Sequence, residues 1–168
     1  MTLLVLSDSH GKPQNISEAI SRNKNAESVI FLGDGMRDLD RAETSNKPII
    51  SVRGNCDPAI SGEMQVYTLN FGEYNIMLTH GHLFSVKSGL DTISAHAAEC
   101  GADIVLFGHT HKRYDKYLPA GTAIGGAILK KPLRLFNPGS IGEPRDSRAS
   151  FGLITIRGRD ILTSHGEL

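Results

Sequence analysis

The sequence predicts an α/β (α+β) chain built as a four-layer αββα sandwich, with two mixed β-sheets flanked by helices. Three observations carry this expectation. Short apolar runs alternate with helical periods through the first two-thirds, and turn-separated strands fill the last third. No helical period follows the run ADIVLFG, so two packed sheets fit better than one doubly wound sheet. At 168 residues the chain, 1–168, has the size of one compact domain and buries about two-thirds of its unfolded surface in one core. It shows no internal repeat, no linker and no second-domain boundary.

TLLVLS opens the chain as a continuous apolar run, the mark of a strand covered on both faces. KPQNISEAISRNK follows as a helix, with Ile16, Ala19 and Ile20 at helical spacing. ESVIFLG is a second strand, MRDLDRAETS a short helix and KPIISVRG a third strand, which together make two βαβ units. MQVYTLNFGEYNIMLTH holds two strands around a Gly-Glu turn, the pattern of an antiparallel hairpin. VKSGLDTISAHAAECG reads as a helix with Leu90, Ile93 and Ala97 on one stripe and a glycine at its end. ADIVLFG is another buried strand, and RYDKYLP, LRLFNPGS, FGLITIRG and DILTS are short strands after it. The glycine-rich stretch AGTAIGGAILKK, within which Gly121 to Lys131 fall, reads as either a hairpin or a loop.

Eighteen basic and eighteen acidic side chains cancel, so no global field favours nucleic acid or an anionic membrane. No apolar stretch reaches the roughly 20 residues that span a bilayer, and MTLLVLSDSHG lacks the features of a signal peptide. A soluble, cytoplasmic protein is expected. Cys56 and Cys100 are too few for a disulfide framework and form no CxxC site, and Cys100 is read as core.

Ligands of α/β sheets gather beyond the carboxyl ends of strands, so the residues just after each apolar run are the ones to read for chemistry. They are Asp8 and His10 in SDSHG, Asp34 in GDGMRD, Asn55 in GNCD, His80 in THGH, and His109 and His111 in GHTH. Each alone passes as an ordinary turn or cap residue. Together they are less easily coincidental, because five of the seven histidines lie in these segments. Imidazoles, carboxylates and one amide oxygen suit a divalent transition metal such as manganese, nickel, iron, cobalt or zinc, whereas magnesium and calcium prefer all-oxygen sites. Seven candidates exceed the needs of one ion. Two ions are therefore expected, with Asp34 between them, since one carboxylate can bridge cations about 3.5–4 Å apart.

In order and spacing, DSH, GD, GN, THGH and GHTH resemble the motifs of the calcineurin-like metallophosphoesterase superfamily. The closing NPGSIGEPR is similar to the ending of its small single-domain bacterial and archaeal phosphodiesterase branch. The resemblance covers nearly the whole chain. It implies the same αββα sandwich, with Asp8, His10 and His111 on one metal, Asn55, His80 and His109 on the other, and Asp34 shared. It also implies a metal-dependent phosphodiesterase, with manganese the favoured metal and a small organic phosphodiester or activated aryl phosphate as substrate. Asp34, Asn55 and His80 are its catalytic residues, with Cys56 and His82 as further candidates.

Many members of the superfamily carry a histidine after the GN asparagine, where this chain has Cys56. A thiol near its free pKa of about 8.5 is a weaker proton donor than imidazolium, which favours substrates with good leaving groups. A hydroxide formed between two cations needs no protein nucleophile, so Cys56 is not read as one. Asp38 and Asp57 are placed to orient ligand histidines or to cap turns. Asn137, Gly139, Ser140 and Arg145 are expected to shape the rim of the site, with Arg145 either reaching phosphate or forming a surface ion pair. His96 and His165 are given no role, and Lys130 and Lys131 are two cations in a loop. The alternatives are a phosphomonoesterase or nucleotidase on the same metals, and a non-catalytic scaffold like the superfamily's retromer subunit. Strands near the end of the chain could pair across a homodimer.

Overall fold

In the computed structural model, which describes residues 1–59, 64–146, 148–158 and 160–168, the apolar runs become strands whose alternate residues serve two different cores. In β1 (Thr2–Leu6), Leu3 and Val5 face the space between the sheets, while Leu4 and Leu6 face the helices α1 (Pro13–Arg22) and α2 (Met36–Leu39). In β6 (Ile104–Phe107), Ile104 and Leu106 face inward, and Val105 and Phe107 face α3 (Asp91–Glu99). A strand with both faces buried can hold no polar residue until it ends. This is why the runs are continuous and why polar residues appear abruptly after them.

The first sheet has the order β12-β11-β1-β2-β3, with β2 (Ser28–Phe31), β3 (Ile49–Ser51), β11 (Ser150–Arg157) and β12 (Asp160–Glu167). The second has the order β4-β5-β6-β10-β7, with β4 (Val66–Phe71), β5 (Tyr74–Thr79), β7 (Arg113–Leu118) and β10 (Leu133–Pro138). In each sheet three adjacent strands run parallel, β1-β2-β3 ending at the sheet edge and β5-β6-β10 at the sheet centre. Antiparallel strands adjoin the first trio on the β1 side and the second on both sides, so both sheets are mixed as expected. The expected four layers are present, with α1 and α2 outside one sheet and α3 outside the other. The glycine-rich stretch is a small hairpin, β8 (Ala123–Ile124) with β9 (Ala127–Ile128), placed against α3. No helix among the described residues is long and apolar enough to cross a membrane.

Three expectations change. Cys100 is exposed rather than core, because it caps α3 after the buried stripe of Ile93 and Ala97 has ended. The helix expected over VKSGLDTISAHAAECG begins only at Asp91, since Gly89 has low helix propensity and Ser85 sits in the left-handed region at φ 51°. The segment before it becomes a turn instead. MRDLDRAETS likewise yields only the single turn of α2.

Candidate metal centre

Register brings the strand ends together. Leu6 pairs with Phe31 across β1 and β2, Phe31 with Ser51 across β2 and β3, and Thr79 with Phe107 across β5 and β6. The segments beginning at Ser7, Leu32, Val52, His80 and Gly108 therefore leave one edge of the sandwich side by side. Five of the seven candidate ligands turn there with left-handed backbone: Asp8 (φ 57°), His10 (43°), Asp34 (58°), His109 (68°) and His111 (59°). Non-glycine residues in this region cost about 1–3 kcal/mol each and gather where function requires them.

Two glycines permit the close approach. A Cβ on Gly54 would run into Oδ1 of Asp34 and stand 2.5 Å from its backbone nitrogen, and one on Gly108 would meet the hydroxyl of Ser7. The GN and GH glycines are thus spaces into which the neighbouring carboxylate loops fit.

All seven candidates converge. His10 Nε2 lies 3.2 Å from His111 Nε2, and Asp8 Oδ1 is 3.3 Å from His111 Nε2 and 3.8 Å from His10 Nε2. Beside them, His80 Nε2 lies 3.1 Å from His109 Nδ1, 3.2 Å from Asn55 Oδ1 and 3.2 Å from Asp34 Oδ2. Asp34 Oδ2 is also 3.8 Å from His10 Nε2, so this carboxylate stands between the two groups. The donor atoms of Asp8, His10 and His111 all lie within 4.8 Å of one another, as do those of Asp34, His80 and His109, and of His10, Asp34 and Cys56.

Hydrogen bonding alone does not satisfy this arrangement. Asp8 Oδ1 is buried without a hydrogen-bond partner, which costs about 1–3 kcal/mol or more for a charged oxygen. His80 Nε2 carries at most one proton but faces three acceptor atoms. Two imidazole nitrogens facing each other at 3.2 Å share at most one hydrogen bond. A divalent cation accepting lone pairs from all of them would resolve each conflict, so these residues fit a metal.

The donors are aimed by backbone rather than by carboxylates. His80 Nδ1 donates to the carbonyl of Leu32 at 2.7 Å and His111 Nδ1 to that of Glu143 at 2.7 Å, leaving each Nε2 free to coordinate. Asp57 and Asp38, expected to orient histidines or cap turns, form no hydrogen bond or ion pair with a histidine among the described residues; they cap turns and tie loops together. Asp57 accepts the N–H groups of Asp34 (2.7 Å), Gly35 (2.8 Å), Met36 (2.9 Å) and Gly54 (2.9 Å). Asp38 accepts the Ser9 hydroxyl at 2.6 Å and the Gly11 N–H at 2.7 Å.

The closing motif lies beneath the site rather than on its rim. Asn137, Gly139 and Ser140 are buried, since their polar groups are consumed by the loops above them. Asn137 donates to the carbonyl of Gly108 (2.8 Å), and Ser140 Oγ donates to that of Asp8 (2.7 Å) and accepts the Glu143 N–H (2.6 Å). Arg145 anchors through its backbone N–H on the His111 carbonyl at 2.9 Å, while its exposed side chain joins no carboxylate among the described residues. His165, given no role from sequence, stacks on Phe136 with ring centroids 4.6 Å apart and bonds the Asn137 carbonyl at 2.8 Å. His82 lies with its ring 5.4 Å from that of His80, and its Nδ1 is buried and unpartnered.

The charges are strongly coupled. Burial would raise Asp34, but the hydrogen bond and charge of His80 and the Cys56 N–H outweigh it and hold the carboxyl well below the usual range. His80 is raised because the nearby carboxylates overcome its burial. His111 is raised by the adjacent Asp8 carboxylate. Burial and the charge of His80 push His109 down to about 4, and the same two causes lower His82. Partial burial and Asp34 push the Cys56 thiol up to about 11, so Cys56 stays protonated at neutral pH.

The sequence matches the calcineurin-like phosphoesterase superfamily domain over residues 1–159, and the chain belongs to that superfamily. It is 32% identical over 157 residues to the probable metallophosphoesterase YsnB of Bacillus subtilis (strain 168), covering 93% of this chain and 85% of that protein. It is 26% identical over 180 residues to the phosphodiesterase YfcE of Escherichia coli (strain K12), covering 92% and 87%. The crystal structure of a single mutant of Vps29 from Entamoeba histolytica shares the fold, with a TM-score of 0.70, 22% identity and coverage of 100% and 99%. The chain is thus a member of a metal-dependent phosphoesterase superfamily.

Proposed function

We propose that the chain, 1–168, is one cytoplasmic domain acting as a two-metal phosphodiesterase, with Asp8, His10 and His111 holding one cation, Asn55, His80 and His109 the other, and Asp34 both. The observation that carries this is the position of Asp34 Oδ2, 3.2 Å from His80 Nε2 in one group and 3.8 Å from His10 Nε2 in the other. The name of YfcE as a phosphodiesterase supports the substrate class.

Two cations held there, manganese by preference, would supply Lewis acidity for ionising water and neutralising charge on phosphoryl oxygens. The chain's own residues do the positioning. The carbonyls of Leu32 and Glu143 fix two imidazoles, and the Asp57 carboxylate locks the Asp34 loop to the Asn55 loop. The His82 ring, neutral and beside His80, is placed to donate to a substrate phosphoryl oxygen. Cys56, a thiol with a free pKa of about 8.5, is a weaker proton donor than imidazolium, and water ionised by two cations would need no thiol nucleophile. The leaving group must therefore depart largely unaided, which favours diesters with acidic alcohols.

Hydrolysis of bis(p-nitrophenyl) phosphate by manganese-loaded protein tests this reading, together with metal counting after desalting. Turnover with two ions per chain is expected. Fewer than two ions, or turnover no greater than that of Asp34→Ala, overturns it. A large preference for p-nitrophenyl phosphate would instead assign a monoesterase. Absence of turnover in both the manganese-loaded protein and Asp34→Ala would instead assign a non-catalytic binding scaffold.

A further inference from the structure

Two cavities flank the candidate metal centre, and their charges are opposite. The smaller, about 330 Å³, is lined by His10, Asp34, Asp38, Cys56 and Asp57 and is acidic apart from Arg37. The larger, about 620 Å³, lies between the turn before α3 and the start of β7 and has no carboxylate among the described residues of its wall. Its volume falls in the range of small-molecule sites, roughly 300–1,000 Å³. Thr110, between His109 and His111, is part of that wall, so the cavity adjoins the metal centre.

The wall combines an apolar surface from Val86, Leu90, Phe107 and Tyr114 with four cations. Arg113 is held by Asp146 at 3.2 Å and Glu167 at 2.7 Å. Lys87, Lys112 and Arg145 have no carboxylate within 4.0 Å among the described residues. Three uncompensated cations around one cavity are a marked local excess in a chain whose net charge is zero.

A diester's single negative charge is met by the metals and does not account for further cations beside them. We propose that the larger cavity is a subsite for a second phosphate, so that the substrate is a phosphodiester with one esterified group, apolar in body and itself phosphorylated, of nucleotide size. The apolar wall takes the body, and Lys87, Lys112 and Arg145 take the second phosphate through charge-assisted hydrogen bonds, which are roughly twice as strong as neutral ones. This rests on the phosphodiesterase reading, and the test separates the two.

The probes are thymidine 5′-(p-nitrophenyl phosphate) and the same ester carrying a 3′-phosphate, measured at low ionic strength with manganese-loaded protein. Their kcat/KM ratio isolates the second anion. The probe with the added 3′-phosphate is expected to be at least tenfold better. The ratio should fall to near one in a Lys87→Gln/Lys112→Gln double variant and be restored by the corresponding double arginine variant. Equal rates for the two probes, or a ratio that survives the glutamine variant, overturn the subsite. If neither probe nor bis(p-nitrophenyl) phosphate turns over, the phosphodiesterase reading is what fails. Titration calorimetry with thymidine 3′,5′-bisphosphate against thymidine 5′-phosphate then decides the subsite by the same ratio.

Discussion

The two ends of the sandwich use the same backbone conformation for different purposes. At the end away from the candidate metal centre, left-handed turns fall on Gly72 (φ 61°), Gly101 (66°) and Gly158 (57°), where an added Cβ would meet nothing within 4 Å. At the metal end nearly identical angles fall on Asp8, His10, Asp34, His109 and His111. Glycine adopts this conformation freely, whereas other residues do so at a cost of about 1–2 kcal/mol. One end is therefore built for economy of folding, and the other accepts strain to aim donor atoms. Glycines at the metal end serve another need, since Gly54 and Gly108 leave room for neighbouring carboxylate loops.

This contrast can be broken by experiment. The largest effect is expected from Asp34→Asn, which should lower kcat/KM on bis(p-nitrophenyl) phosphate by about 10³-fold. Gly158→Ala should leave that rate within about twofold. A comparable loss from both would erase the distinction between the ends.

Metal affinity should depend steeply on pH. His80 and His111 have raised pKa values in the metal-free protein, so a cation must displace their protons, and affinity falls as pH drops through those values. His109, at about 4, holds no competing proton above pH ~5. Manganese titrations from pH 5 to 8 should therefore show affinity rising with pH by up to about tenfold per unit for each protonated histidine. A flat profile would mean that these two histidines are not ligands.

On stability, Gly54→Ala should cost about 1–3 kcal/mol in urea unfolding, because its Cβ collides with Asp34. Gly158→Ala should cost about 1 kcal/mol, from backbone strain alone. The smallest and sharpest test is His10→Gly. It should lose metal, yet leave the metal-free protein equally stable or up to about 1 kcal/mol more stable, by relieving strain at φ 43°. Clear destabilisation would show that His10 supports the fold as well as the site.

The layering and most strands were legible because burial on two faces forces uninterrupted apolar runs such as IVLF in β6. Helix ends were less so. The segment from Val86 to Gly89 runs directly into the helical stripe of Leu90, Ile93 and Ala97, but Gly89 and the left-handed Ser85 keep it out of the helix. Asp57 stands out in GNCD, but its binding of four backbone N–H groups does not, since sequence spacing does not reveal which amides another loop will present. The carbonyls of Leu32 and Glu143 that aim His80 and His111 left no signal at all, because every residue has one. Nor did Lys87 and Lys112, which in the sequence are unremarkable surface lysines.

By itself the sequence determined where the buried strands leading to the metal centre stop and which side chain follows, because those depend on local residue type and period. Tertiary structure alone decided that His10 and His111, 101 residues apart, would face each other at 3.2 Å, and that Lys87 and Lys112 would share one cavity. The physical reason is that strand pairing and sheet packing are non-local. Local chemistry places a donor at a strand end, but only register and the stacking of two sheets set the distance between one strand end and another.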